Sequence, residues 1–96
     1  MYVIYRMEGA EKEEILGRCA EMLEEHMSDI RVPRNIRQSV NKVKNELRIG
    51  NGSQAVRATA VISELEDLAA NPNILSHTRT LVWNIVSQLE TVSVEE

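Results

Sequence analysis

The chain has 96 residues and a mass of 10.9 kDa, which is room for one domain burying about 65% of the surface its unfolded form exposes. Apolar residues at 43% and charged residues at 27% match an ordinary soluble globular domain and exclude a disordered chain or a multidomain enzyme with its own cofactor domain. The net charge is −4, and with no Phe the only aromatics are Tyr2, Tyr5 and Trp83, so the core must be aliphatic.

Residues 1–10 read as a flexible N-terminal extension. The opening Met-Tyr-Val-Ile-Tyr-Arg differs from the acidic, helix-forming stretch that follows, and Met7 is a second candidate translation start. It is too short for a secretory signal, and no run approaches the ~18 apolar residues of a membrane span. A single domain is expected over 11–92, with a frayed tail at 93–96.

A first helix is predicted from about Lys12 to Met27, where Ile15, Leu16, Cys19, Met22, Leu23 and Met27 recur at three- and four-residue spacing. The lone Cys19 has no disulfide partner, which fits a reducing, cytoplasmic setting; on an apolar stripe it reads as an inert core thiol. Ser28 and Asp29 break the pattern, and Pro33 suits the first turn of a second helix. The stripe there is Ile36, Val40, Val43 and Leu47, closed by Gly50-Asn51-Gly52.

Charge is segregated between these two helices. Glu8 to Asp29 holds eight acidic and two basic side chains, a net of −6, and Arg31 to Arg48 holds six basic and one acidic, a net of +5. Neighbouring segments of opposite sign suggest surfaces that face one another.

Ser53 is the expected N-cap of a third helix, to about Ala70. The apolar face widens there to include Ala55, Val56, Ala58, Ala60, Val61, Ile62, Leu65, Leu68 and Ala69, which predicts the most buried helix. Asn71-Pro72-Asn73 is a turn signal. Ser76 is the expected cap of a fourth helix, with stripe Leu75, Thr78, Val82, Ile85, Leu89 and Val92.

Sliding the chain by 42 residues sets Cys19 on Val61, Leu23 on Leu65, Val32 on Ile74, Arg37 on Arg79, Val40 on Val82 and Leu47 on Leu89. The pattern is reminiscent of the HEAT class, whose period is about 40–47 residues. Two copies are too few for a solenoid. The expectation is an all-α, up-and-down four-helix bundle of two helical hairpins related by a 42-residue, HEAT-like repeat.

The stretches Arg31-Val32-Pro33-Arg34-Asn35-Ile36-Arg37 and Asn71-Pro72-Asn73, followed by Arg79, Trp83-Asn84-Ile85 and Gln88-Leu89-Glu90, resemble a small archaeal family of uncharacterised short proteins. The resemblance covers residues 11–92. It implies an all-α four-helix protein in an archaeal cytoplasm, and it brings no catalytic residue, cofactor or partner.

Chemistry-bearing patterns are sparse. Three and four residues before them His26 has Leu23 and Met22, and His77 has Ile74 and Asn73; neither carries an E-x-x-H pair, so neither reads as a metal ligand. His26 reads as a cation at a helix end, and His77 as a solvated first-turn residue. Gly50-Asn51-Gly52-Ser53 lacks the lysine of a phosphate loop and reads as a linker. The carboxylates of the first helix read as a solvated face, without the burial that acid–base catalysis needs. No metal, cofactor or catalytic residue is expected, and the protein reads as non-enzymatic.

Two surfaces remain. Trp83 falls at the margin of the fourth stripe, with Arg79 one turn before it as a cation–π neighbour; together they form the candidate interaction surface for a protein partner or a second copy. Arg37 and Arg79, at equivalent positions, read as bonds to the inter-helix turns. The alternative is a basic, phosphate-contacting surface of Arg31, Arg34, Lys42, Lys44 and Arg48. An acidic total and few aromatics weigh against nucleic acid.

Overall fold

The computed structural model describes residues 9–28, 32–49 and 52–93. They form four helices, α1 (Gly9–Met27), α2 (Arg34–Ile49), α3 (Gln54–Ala69) and α4 (Ser76–Val92), with no strand among the described residues. Each helix buries one stripe at helical spacing. In α1 this is Leu16, Cys19, Ala20 and Leu23; in α2, Ile36, Val40, Val43 and Leu47. The core is aliphatic throughout.

Helix directions follow from side-chain contacts at the ends. Gln54 donates to the Gly9 carbonyl (2.8 Å) and Arg57 bonds Glu13, so α1 and α3 start at the same end. A groove between α2 and α3 brings Ser39 to the level of Asn71 and Lys42 to the level of Glu64 and Asp67, which makes that pair antiparallel. Arg79 near the start of α4 reaches Ala69 at the end of α3. The path is up, down, up, down: consecutive helices pack, α4 closes on α1, and α1 also touches α3.

The joints explain where helices stop. Gly52 takes φ +94°, a backbone that L side chains rarely adopt. Ser53 then accepts a bond from the Val56 amide (3.2 Å) and caps α3. In the second turn the Asn71 carboxamide oxygen accepts from the Asn73 amide at 2.9 Å, a local turn bond. Val32 and Ile74, one in each hairpin turn, are buried at 4% and 6% exposure.

Several boundaries differ from expectation. α1 begins at Gly9, so Gly9 and Ala10 belong to the helix and not to an extension; residues 1–8, with Met7, and the tail 94–96 lie outside the described residues. Pro33 stands just ahead of α2, its carbonyl accepting the Arg37 amide at 2.9 Å. Leu75, not Ser76, is the N-cap of α4, and it makes no side-chain cap bond. α3 buries a wide stripe, Ala55, Ala58, Val61, Leu65, Leu68 and Ala69, but two residues read as part of that face lie outside it: Val56 is 51% exposed and Ala60 is exposed. The wide apolar face of α3 exceeds what its neighbours can cover, and the excess faces outward.

Candidate functional site

Trp83 is 48% exposed, one of few large apolar side chains the fold leaves at the surface. It lies between the core stripe of α4, with Val82 and Ile85 fully buried, and an outward row of Thr80, Asn84, Ser87 and Thr91, all exposed. The exposed positions of α4 carry one formal charge, Glu90. By contrast, exposed positions of α1 include Glu13, Glu14, Arg18, Glu21, Glu24 and Glu25.

Several hydroxyls of α4 and α3 are already bonded to their own helices. Thr80 Oγ1 donates to the Ser76 carbonyl (3.1 Å), Thr91 Oγ1 to Gln88 (2.7 Å) and Ser93 Oγ to Glu90 (3.0 Å). On α3, Thr59 Oγ1 donates to Ala55 at 2.9 Å, and Val56, Thr59 and Ala60 form a shallow depression with Ser93. Such back-bonded hydroxyls lose less on leaving water than free ones. These hydroxyls are therefore polar in composition but inexpensive to cover.

Arg79 is held differently from its expected place over the indole. Its Nε donates to the Ala69 carbonyl at 3.1 Å and its Nη2 to the Asn71 carbonyl at 3.3 Å. The guanidinium ties the end of α3 to α4, satisfying the Ala69 carbonyl that the helix end leaves without a partner and joining the Ile74 amide on the Asn71 carbonyl of the turn. In the candidate interaction surface, Trp83 is the exposed member and Arg79, one turn earlier, is the half-buried anchor of the helix.

The basic residues of the alternative surface are divided among faces. Arg31 lies outside the described residues. Arg34 is exposed in the first turn of α2 and Lys44 is half-buried. Lys42 turns to α3, 3.5 Å from Glu64, while Arg48 turns to α1, 3.0 Å from Glu24. Two residues apart on a helix means roughly 200° of rotation, so Lys42 and Lys44 point away from each other. The pairing of Arg48 with the acidic first helix accords with the charge segregation.

Four contacts had no sequence signal. Arg57 of α3, with a side chain only 10% exposed, pairs with Glu13 of α1, and its buried Nε meets no acceptor among the described residues. Bonds from Gln54 and Arg57 hold the Glu13 carboxyl below the usual carboxylate range. Across α2 and α3, burial and the facing Glu64 push the Glu46 carboxyl up, against the pull of Lys42. At the opposite end, His26 Nε2 and the buried Thr78 hydroxyl share a 2.7 Å hydrogen bond. The ring of His77 meets that of His26 edge-on at 5.2 Å. The histidines are 51 positions apart, so spacing within one helix could not join them. Among the described residues no group of three or more His, Cys, Asp or Glu is placed to hold a metal ion, and no helix is long and apolar enough to cross a membrane.

Comparison with known proteins places this geometry. The model of the uncharacterised protein family UPF0147 matches residues 5–92. The chain belongs to that family. A UPF0147 protein of Methanosarcina mazei is 44% identical over 91 residues, covering 95% of this chain and 98% of the relative. A crystal structure of the unknown function protein MMP1188 superposes with a TM-score of 0.76 at 36% identity, covering 97% of this chain and all of that one. The crystal structure of a UPF0147 protein from Thermoplasma acidophilum gives 0.76 at 33% identity, covering 85% and 96%. The matching relatives are archaeal.

The residues that suggested the UPF0147 likeness divide into two kinds. Arg37, Asn71 and Arg79 bond the turns, and Val32, Ile36, Ile85 and Leu89 are buried; these build the fold. Trp83, Asn84 and Glu90 are exposed. In this UPF0147 chain Cys19 is fully buried, and burial pushes its thiol up to about 11, so it is a protonated core group at neutral pH.

Proposed function

We propose that the protein is a small non-enzymatic contact module of the cytoplasm, which binds another protein through the outward face of α4 around Trp83. The single observation that supports this reading is a half-exposed tryptophan on a helix whose exposed positions are nearly free of charge. Interface centres favour aromatic residues and are depleted in Lys, Glu and Asp. The covered hydroxyls lower the desolvation cost of docking, and the rigid Arg79 anchor fixes the helix that presents the indole. The buried, lone thiol fits a reducing compartment.

The second reading is a nucleic-acid or ribonucleoprotein role for α2, and Arg34 and Lys44 favour it, since neither is held in an ion pair with a described residue. Affinity capture from native cells separates the two. The parent should retain nuclease-resistant partners that Trp83→Ala loses while remaining helical. Equal capture by both proteins removes the Trp83 reading, and nuclease-sensitive capture supports the second.

A further inference from the structure

The row of residues on α4 is self-complementary about its own middle. We infer that this face takes a second copy of the chain, α4 lying antiparallel to α4 across a two-fold axis; the inference rests on reading the Trp83 face as a contact surface. α4 runs Ser76–Val92, and its midpoint falls beside Trp83. A two-fold axis between positions 83 and 84 pairs each position with the one that sums with it to 167. Thr80 then faces Ser87 of the other copy, and Ser76 faces Thr91. At the rim His77 faces Glu90, which sets an imidazole N–H opposite a carboxylate acceptor. The two indoles lie side by side at the centre, each near the other copy's Asn84.

Charge and size argue for this occupant. Two copies each carrying −4 repel at long range, and close approach is least opposed where a nearly uncharged face meets its twin. Thr80 and Ser87, one turn to either side of Trp83, are small enough to let the two backbones approach. An isologous contact uses one patch twice, so the complementarity must be internal to that patch. At the far end of α4, Val56, Thr59 and Ala60 of α3 continue the uncharged surface beside Ser93. The 17 residues of α4 span about 26 Å, and two helix widths are about 20 Å, which offers roughly 500 Å² per copy. A standard interface buries about 800 Å² per partner. The dimer is therefore weak and concentration-dependent.

Sedimentation equilibrium of the full chain from about ten micromolar to about one millimolar tests this. Average mass should rise from the 10.9 kDa of one chain toward twice that value, and emission of the sole tryptophan should shift to the blue in step. Trp83→Ala should weaken association about tenfold or more with an unchanged helical spectrum. Thr80→Lys and Ser87→Glu should each weaken it when alone and associate with one another when mixed, because those positions face each other only in the antiparallel register. A chain monomeric at every concentration overturns the inference, as does a dimer indifferent to Trp83→Ala. If the monomeric chain still captures another protein through Trp83, the contact-module reading survives and the second copy does not.

Discussion

Arg37 and Arg79 stand 42 residues apart and make the same bond. Arg37 Nη1 donates to the Met27 carbonyl at 2.5 Å and Arg79 Nε to the Ala69 carbonyl at 3.1 Å, each reaching ten positions back to the last residue of the preceding helix. Each guanidinium satisfies a helix-end carbonyl beside a buried turn residue, Val32 or Ile74. Hydrogen bonds from charged donors contribute about 1.5–3 kcal/mol. Arg37→Ala and Arg79→Ala should each lower unfolding free energy by roughly that amount in urea titrations. Lysine should restore only part of it, because an ammonium lacks the planar fork. A loss within the error of the titration at both sites would remove the anchoring role.

The two perturbed carboxyls should act on stability in opposite directions. Glu13 is held low by Gln54 and Arg57, so its contribution is present above the ordinary carboxylate value and is lost as pH falls through the lowered one. Glu46 is held high by burial and Glu64, so its contribution is present in acid and is lost as pH rises through the raised one. Thermal unfolding against pH should show Glu13→Gln destabilised near pH 7, with a smaller loss on acidification than the parent. Glu46→Gln should unfold at a higher temperature than the parent at pH 7. Reversal of either sign contradicts the assignment of causes.

Cys19 should resist thiol reagents in the folded protein. It is fully buried with a thiol pushed up to about 11, so labelling at pH 8 should proceed only at the rate of opening and should accelerate in urea. Its raised value also predicts that stability present below the ordinary thiol value of 9.0 declines as pH climbs toward 11. Rapid native labelling would show that α1 opens freely at its centre.

The split of the basic residues yields a negative prediction. With Lys42 and Arg48 paired to Glu64 and Glu24 on opposite flanks, α2 does not present one continuous phosphate-contacting row. Gel shifts with RNA and duplex DNA should show no retardation at low salt. A salt-sensitive shift abolished by Arg34→Glu with Lys44→Glu would favour the nucleic-acid reading instead.

Local chemistry made most of the fold legible, and packing hid most of the site. The stripes of α1 and α2 appear as read because helical period alone decides which side chains share a face. The reading failed where an element's neighbours decide burial. Val56 and Ala60 look like core in a wide apolar face, yet none of the described helices covers α3 on that side. Leu75 replaced Ser76 as the cap because the turn fixes where helical dihedrals begin. The exposure of Trp83 was legible from its place on the wheel, and the turn bonds of Arg37 and Arg79 from their equivalent positions. The Arg57–Glu13 and His26–His77 contacts were not, since each joins helices whose rotation is settled only by the whole bundle.

Photo-crosslinking in native cells tests the central claim most directly. A photoreactive phenylalanine placed at Ser87, on the α4 face, or at Glu21, exposed on α1, reports which face meets a protein. The account predicts a discrete, nuclease-resistant adduct from position 87, lost when Trp83→Ala is added, and none from position 21. Adducts from position 21 with none from position 87 would contradict it.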